Sequence, residues 1–199
     1  IKLNYDKLNY FRKKIHNNYL LDKNNLKNIH FVYEISKIFK ISDYLIFKSL
    51  NLFKGLKFRK QIIVDKTGLK IINDSKSTSF SSTNALLSTY ENIYWIVGGI
   101  FKKGDKFVLK RKYYKNVKAY IIGLNKKNFI DQFKDKIKFK YSKNLKKAIL
   151  IIKNDIKKDP NNKTILFSPA AASFDQFKNF EIRGTEFKKL CKTYARKFI

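Results

Sequence analysis

Residues 92–123, which decide the fold, read NIYWIVGGIFKKGDKFVLKRKYYKNVKAYIIG. The apolar run at Asn92–Val97 predicts a buried strand, followed by a glycine loop and a helix over about Asp105–Tyr114. Val117–Gly123 predicts a second strand of the same kind. A strand, a crossover helix and another strand predict a parallel pair within an α/β sheet.

The same alternation of strands and helices runs through most of the chain. Further strands are predicted at Gln61–Val64 and Leu69–Ile72, which form a hairpin through Asp65–Gly68, and at Ile137–Tyr141 and Lys163–Phe167. One further helix is predicted to start near Asn25, with Asn24 and Asn25 as N-caps. The others are predicted over Ser42–Leu52, Lys127–Lys136, Lys143–Ile156 and Asp175–Arg196. The first stretch, Ile1–Asn18, is predicted as strand remnants or a connector. We therefore expect an α/β fold: a Rossmann-like, mostly parallel sheet with helices on both faces, preceded by a helical segment.

The net charge is the most unusual property of the composition. The 199 residues include 45 Lys and Arg against 15 Asp and Glu, a formal charge of +30. Such a charge suits a polyanion, so a basic nucleic-acid-binding protein is one interpretation. The lysines are spread along the whole chain together with many Asn, Ile, Phe and Tyr residues, as codons rich in adenine and thymine would produce on any fold. This pattern favours coding bias over a nucleic-acid partner.

Composition also excludes several classes of protein. One cysteine rules out a disulfide framework, and with two histidines it rules out a Cys/His zinc cluster. No apolar run reaches the roughly 18 residues that a membrane span needs, and the first residues show no signal-peptide pattern. We expect a soluble, cytoplasmic protein. Since the chain contains no methionine, we also expect it to be the C-terminal piece of a longer protein.

Ligands of parallel sheets bind beyond the carboxyl ends of the strands, where three loops of this chain are expected to lie. The first is Asn73-Asp74-Ser75-Lys76-Ser77-Thr78. Lys76 supplies charge, Ser75 and Thr78 supply hydroxyl donors, and the next helix adds its dipole, which together suit a polyanion. Asp74 would repel phosphate and suits a ribose hydroxyl or a cation. On composition alone, an ordinary helix cap is the favoured interpretation of the same residues.

The second loop follows Val97 and reads GGIFKKGDK over residues 98–106. Its glycines are spaced as in an ATP-binding P-loop, but Asp105 stands where that motif requires a lysine. We therefore reject the P-loop interpretation. What remains is a glycine turn that presents Lys102 or Lys103 at the edge of the sheet. The alternative is an ordinary pair of solvated lysines.

The third loop, residues 168–177, reads SPAAASFDQF. Its small residues would let backbone approach a ligand closely. Ser173 and the free amides at the start of the last predicted helix suggest a cradle for a carboxylate. Phe174, Phe177 and Phe180 could wall a pocket, although this spacing is also typical of core packing.

Two of these loops carry a family resemblance. Residues 168–184, SPAAASFDQFKNFEIRG, resemble the C-terminal signature of the UDP-N-acetylmuramoylalanine–D-glutamate ligases, a branch of the Mur ligase family. Residues 73–78 are similar to the Asn-Asp-Ser-Lys-Ala-Thr of that branch, and residues 55–59 to its Gly-Leu-Pro-His-Arg. The resemblance extends from about Leu20 to the end. The Asp-Asn-Pro-Arg of the ligases that add diaminopimelate or lysine is missing.

The resemblance implies an ATP-dependent ligase of peptidoglycan precursor synthesis. ATP, with Mg²⁺, would phosphorylate the carboxylate of UDP-N-acetylmuramoyl-L-alanine, and the amine of D-glutamate would attack the acyl phosphate. Residues 1–54 would be the tail of the family's ATP-binding domain and residues 55–199 its amino-acid-binding domain, with a hinge near Leu52–Gly55. Because the chain has no Gly-x-x-Gly-Lys-Ser/Thr, the fragment alone is expected to be inactive, and the main Mg²⁺ ligands are expected before Ile1.

The resemblance also implies roles for single residues. The residues that match the family's D-glutamate pocket are Thr78, Lys102, Ser173, Phe174 and Phe180. The residues that match its nucleotide contacts are Asn25, Asn28, Arg59 and Asp74. The expected catalytic residues are Asp74 and Lys76. No metal-ligating residue is predicted, and the protein is expected to be a monomer. A folate polyglutamate ligase of the same superfamily is the alternative within the enzyme class.

Overall fold

The computed structural model describes residues 4–17, 19–21, 23–157, 159 and 161–195. The chain divides into two compact units, Ile1–Gly55 and Leu56–Ile199. Among the described helices, none combines the length and the apolar character that crossing a membrane requires.

The N-terminal unit consists of three helices, α1 (Tyr5–Lys14), α2 (Lys23–Ile38) and α3 (Asp43–Leu52). The side-chain oxygen of Asn4 accepts hydrogen bonds from the first free amides of α1, and basic residues occupy its last turn, so both ends of this helix are stabilised. The unit has its own apolar core, formed by Phe11, Ile15, Leu20, Leu26, Ile29 and Phe47.

Two expectations for this unit are wrong. Residues 5–14 form a helix and not strand remnants, while residues 1–3 and 18 lie outside the described part. The residues of this segment that pack into the core are Leu8 and Phe11 of α1 and Ile15 directly after it, and the charged residues between them conceal this helical spacing. Helix α2 begins at Lys23, so Asn24 and Asn25 lie inside the helix and do not cap it. The helix predicted over Ser42–Leu52 is confirmed, with Ser42 as its N-cap.

The C-terminal unit is an α/β domain with a six-stranded sheet. Its elements are β1 (Gln61–Lys66), β2 (Leu69–Asn73), α4 (Phe80–Thr89), β3 (Ile93–Gly98), a 3-10 helix (Arg111–Asn116), β4 (Val117–Ile122), α5 (Lys126–Phe133), β5 (Lys138–Lys143), α6 (Leu145–Ile156), β6 (Lys163–Phe167) and α7 (Phe180–Ala195). The strand order is β1-β2-β6-β3-β4-β5. Only the hairpin β1–β2 is antiparallel, and every other neighbouring pair is parallel. The predicted mostly parallel sheet is confirmed.

Helices cover both faces of this sheet, as the alternation along β3 shows. Trp95 points to the core that contains Phe80 of α4 and Phe133 of α5. Its neighbours Tyr94 and Ile96 belong to the opposite core, which α6 and α7 complete. Because successive side chains of a strand point to opposite faces, a strand buried on both sides is apolar throughout.

Two helix predictions in this unit are wrong, one for a whole helix and one for where a helix begins. The segment predicted as a helix over Asp105–Tyr114 is irregular up to residue 110, and only a 3-10 helix follows. Phe107 and Leu109 are buried while Val108 is exposed, which is the two-residue period of extended chain. The last helix begins at Phe180 and not at Asp175. Asn179 sets this start, because its side-chain oxygen accepts the N–H of Ile182 at 2.8 Å.

Candidate active-site edge of the sheet

The three predicted loops meet at one edge of the sheet. Strands β2, β6 and β3 are adjacent and parallel, so their carboxyl ends lie side by side. The N–H of Asp74 donates to the carbonyl of Phe167 at 2.7 Å, which joins the first loop to the last residue of β6, directly before the third loop. The N–H of Gly98 donates to the carbonyl of Pro169 at 2.9 Å, which joins the second loop to the third. Strand order therefore assembles the site from three separate stretches of sequence.

Asp74 lies at the centre of this edge with only 6% of its surface exposed. One carboxylate oxygen accepts the hydroxyl of Ser168 at 2.7 Å, and the other accepts the backbone N–H of Lys60 at 3.0 Å. Burial raises the pKa of Asp74 to about 6, although these hydrogen bonds and the charges of Lys60 and Arg59 oppose the shift. A carboxyl whose pKa lies close to neutral is typical of a functional site.

A buried arginine connects the first loop to the third. Arg183 of α7 is 1% exposed, and its guanidinium donates to the carbonyls of Ser75 at 2.8 Å and Ala171 at 3.0 Å. It also donates to the hydroxyl of Ser75 at 3.2 Å. Its second terminal nitrogen, Nη1, is buried and has no partner among the described residues. Burial lowers the pKa of Arg183 to about 10. The side chain therefore fixes the distance between the two loops.

Lys76 rests on an aromatic side chain. Its ammonium lies 3.8 Å from the centre of the Phe180 ring, close enough for a cation–π interaction. The edge of Phe180 in turn meets Phe58, whose carbonyl accepts the N–H of Lys76 at 3.0 Å. The structure thus brings together two predicted site residues, Lys76 and Phe180, from opposite ends of the domain. Thr78, two residues further along the loop, is exposed.

The second loop is anchored at its ends and exposed between them. The carboxylate of Asp105 accepts the N–H of Phe80 at 2.7 Å, and the side chain of Asn125 accepts the N–H of Phe101 at 3.0 Å. Lys102 and Lys103 are both exposed. Asp105, whose negative charge excludes a P-loop here, has a structural role, because an anion at the start of α4 stabilises that helix.

Ser173 is buried, but it does not lie at the start of a helix. The N–H groups of Gln176 and Phe177 donate to the carbonyl of Ser173 at 3.0 and 2.8 Å, and they form a turn. The expected cradle of free helix-start amides is therefore absent at this position among the described residues. Of the aromatic residues, Phe174 is 70% exposed, whereas Phe177 packs against the core that α6 and α7 share.

The predicted nucleotide contacts are divided between the two units. Asn25 and Asn28 lie on α2, where Asn28 is exposed and the side-chain amide of Asn25 donates to the carbonyl of Tyr19 at 2.7 Å. Arg59 is exposed and lies in the C-terminal unit, where its charge acts on Asp74. Within the described ranges, no three His, Cys, Asp or Glu side chains are grouped so that they could hold a metal ion.

The chain is similar in sequence to known ligases. The chain is 34% identical to the UDP-N-acetylmuramoylalanine–D-glutamate ligase of Wolbachia sp. subsp. Brugia malayi, over 83% of this chain and 33% of that protein. It is 37% identical to the ligase of the same name from Rickettsia prowazekii, over 91% of this chain and 43% of that protein. The chain belongs to the Mur ligase family. It spans less than half the length of these curated relatives, and it matches their C-terminal part.

The fold agrees with this assignment to the Mur ligases. A solved structure of MurF from Acinetobacter baumannii superposes with a TM-score of 0.61 over 84% of this chain and 38% of that one, at 15% sequence identity. At that identity the likeness concerns the fold. No protein-family model matches the chain. The resemblance to the Mur ligases that residues 168–184 and 73–78 predicted is confirmed.

Three residues that matter at this Mur ligase edge were missed from the sequence. They are Ser168, which binds the Asp74 carboxylate; Arg183, which joins two loops; and Asp105, which anchors the lysine loop. Ser168 and Arg183 stand inside the signature of residues 168–184, so the motif contained a signal. Their partners in the first loop, Asp74 and Ser75, lie about a hundred residues away in sequence, and only the fold identifies them.

Proposed function

We propose that this chain is the C-terminal part of an ATP-dependent ligase that adds D-glutamate to UDP-N-acetylmuramoyl-L-alanine through an acyl phosphate. The observation that carries the proposal is the joining of residues 73–78 and 168–184 at one edge. These are the two stretches that resemble the D-glutamate-adding branch. They are connected by Arg183, by Ser168 and by the backbone of Asp74.

In this proposal the edge binds the two carboxylates and the amine of D-glutamate. Lys102 supplies an exposed charge, and Thr78 and Ser173 supply hydroxyls, all of which suit a dicarboxylate. Phe174 is the exposed aromatic side chain that excludes water, while Phe180 holds the ammonium of Lys76 in place. Lys76 then orients the reacting carboxylate, and Asp74 is the buried carboxyl that exchanges a proton.

When bound, ATP with Mg²⁺ supplies the phosphoryl group that activates the substrate carboxylate. Arg59 fits a phosphate, because it is an exposed cation whose charge already acts on Asp74. Asn28 offers an exposed amide to a nucleotide base, whereas the amide of Asn25 supports the start of α2. The chain contains no Gly-x-x-Gly-Lys-Ser/Thr, so its own residues provide one part of a nucleotide site.

We also propose that residues 1–54 are the tail of a larger ATP-binding domain. Supporting this, α2 exposes Phe31, Ile35 and Ile38, which recur at steps of four and three along one side of the helix. A stripe of this kind is normally buried against another element. The proposed hinge lies at Leu52–Gly55, and the division between the two compact units falls directly after Gly55.

The test of the proposed activity uses the full-length protein with ATP, Mg²⁺ and UDP-N-acetylmuramoyl-L-alanine. Phosphate release and formation of the amide are measured with D-glutamate, L-glutamate or L-alanine as the amine. We expect turnover with D-glutamate alone. Turnover with L-glutamate and none with D-glutamate would refute the assignment and favour a folate polyglutamate ligase.

A pair of variants tests the role of the lysine loop in the same assay. Lys102→Ala should raise the Michaelis constant for D-glutamate by roughly 10- to 150-fold, as loss of one charge-assisted contact of about 1.5–3 kcal/mol implies. The Michaelis constant for ATP should stay unchanged. Lys103→Ala is the matched control, since it removes the neighbouring exposed charge. Equal effects of the two variants would disprove the choice of Lys102.

The net charge of +30 favours one rival function, nucleic-acid binding. Binding of random RNA to the 199-residue chain, measured at increasing salt, separates the two. Under the ligase proposal, we expect binding to vanish above about 0.15 M salt, where exposed charges are screened. RNA binding that persists above that salt concentration would favour the rival.

A further inference from the structure

A continuous row of hydroxyl groups leads away from Asp74. The Ser168 hydroxyl lies 2.7 Å from the carboxylate and 2.8 Å from the hydroxyl of Thr83. The Thr83 hydroxyl lies 2.7 Å from that of Ser77, which in turn lies 2.6 Å from that of Ser82. Each distance is normal for an O–H···O hydrogen bond. Four hydroxyls from two distant parts of the sequence therefore form a single chain.

The row begins inside the protein and ends at its surface. Ser168 and Thr83 are fully buried, and Ser77 is almost fully buried. Ser82, in the first turn of α4, is exposed, and its hydroxyl also lies 2.7 Å from the carbonyl of Ser79. The row thus spans from a buried carboxyl to water.

Counting hydrogen atoms gives the row a direction. Each hydroxyl has one hydrogen to donate, and an ionised carboxylate can only accept. When Asp74 is ionised, Ser168 must donate to it, so Thr83 donates to Ser168. By the same reasoning Ser77 donates to Thr83, and Ser82 donates to Ser77. All four hydroxyls then point toward the carboxylate.

Protonation of Asp74 permits the opposite direction. The new carboxyl hydrogen can be donated to Ser168, and each hydroxyl can then turn toward the surface. In this arrangement the hydrogen of Ser82 goes to the carbonyl of Ser79, which is already within hydrogen-bonding distance. The row therefore has two fully satisfied arrangements, one for each protonation state of Asp74.

We propose that Ser168, Thr83, Ser77 and Ser82 form a proton relay between Asp74 and solvent at the first turn of α4. On release, the carboxyl proton passes to Ser168 while each hydroxyl passes its own proton to the next oxygen. Ser82 delivers one proton to water, so one proton leaves Asp74 and one enters the solvent. Uptake runs in reverse. The relay couples a buried charge to the surface without opening the core.

The surroundings of Asp74 suit such an exchange. The charges of Arg59 and Lys60 favour its ionised form, and burial opposes that form, which brings the pKa of Asp74 to about 6. Both protonation states are therefore accessible near neutral pH. The relay does not depend on the proposed ligase activity, because it concerns the titration of one carboxyl in the chain itself.

The test is an NMR titration of the 199-residue chain between pH 4 and 8. The side-chain carbon signals of Asp74, Ser168, Thr83, Ser77 and Ser82 are followed. If the hydroxyls reverse together, all five should shift with one midpoint, and Asp74→Asn should abolish the shifts of the four hydroxyl residues. Shifts confined to Asp74 and Ser168 would overturn the relay.

Two substitutions at Thr83 separate a relay from simple packing. Thr83→Val keeps the shape of the side chain and removes the hydroxyl, so Ser77 and Ser82 should stop following Asp74 while Ser168 continues to do so. Thr83→Ser retains the hydroxyl and should restore the common midpoint. If Ser77 and Ser82 still follow Asp74 in a folded Thr83→Val variant, the relay is refuted. Should Thr83→Val not fold, the Asp74→Asn comparison decides the question.

Discussion

The first and second loops lie at the same edge of the sheet but are built in opposite ways. Residues 73–78 bury most of their polar groups, and the side chains of Asn73, Asp74 and Ser75 are all hydrogen-bonded within the fold. The second loop exposes Lys102 and Lys103, and hydrogen bonds that join backbone N–H groups to the side chains of Asp105 and Asn125 anchor it.

This difference indicates that the two loops have different roles. The buried loop determines geometry, because a buried polar group without its partner is costly and so permits few arrangements. The exposed loop supplies charge and can change its lysines with little effect on folding. Variants in the buried loop and its partners should therefore change stability, whereas those in the exposed loop should change binding.

Arg183→Ala should have the largest effect on stability. It leaves the carbonyls of Ser75 and Ala171 without a donor and opens a cavity, so we expect a loss of about 3–5 kcal/mol in the free energy of unfolding. Urea denaturation measures it. Arg111→Ala, an exposed arginine of the same unit, is the control and should change stability by less than about 0.5 kcal/mol. Equal losses would show that the buried network is not what holds the loops.

Gly98→Ala should have the next largest effect on stability, because the second loop does not tolerate a side chain at this position. A Cβ atom at Gly98, whose φ is 131°, would lie 2.0 Å from the carbonyl oxygen of Ile122. We expect a loss of about 3 kcal/mol from strain and displacement of β4. Gly104 also has a positive φ, but open space surrounds it, so Gly104→Ala should cost only about 1 kcal/mol. Thermal unfolding of both variants compares them, and a smaller loss for Gly98→Ala would contradict the close approach.

Asp74 should make stability depend on pH. Its pKa of about 6 in the folded state exceeds the ordinary 3.8, so between these values the folded state holds a proton that the unfolded state has released. The free energy of unfolding should therefore fall as pH rises from about 4 to 6, by roughly 3 kcal/mol from this group. Asp74→Asn should remove that fall. Denaturation at several pH values checks this, and parallel profiles for the two proteins would contradict the raised pKa.

Asp105→Ala should have the smallest effect on stability of these four. It removes the acceptor for the N–H of Phe80 and the negative charge at the start of α4, with an expected loss of about 1–2 kcal/mol. It should also weaken D-glutamate binding, because it frees one end of the loop that carries Lys102. Asp131→Ala, an exposed aspartate on α5, is the control and should do neither. A destabilised variant with unchanged binding would show that the lysine does not depend on this anchor.

The local pattern of apolar residues predicts an element correctly where the burial of that element follows the period of its secondary structure. The strand Lys163–Phe167 was predicted to the residue, because a strand buried on both faces is a short apolar run bounded by polar residues. The same reasoning failed for residues 105–110, where Phe107 and Leu109 alternate within an irregular segment. It also places the start of α7 five residues early, because apolar spacing alone does not show that Asn179 caps this helix.

The amino-acid sequence is enough to predict the alternation of strands and helices, the mostly parallel sheet and the membership of the Mur ligase family. These follow from local periodicity and from two contiguous motifs, both of which can be recognised without knowing what lies next to what. The folded structure is needed to show that Asp74 is hydrogen-bonded to Ser168, that Arg183 connects two loops and that four hydroxyls form one row. Those contacts depend on the strand order β2-β6-β3, and pairing between distant strands leaves no mark on the local pattern.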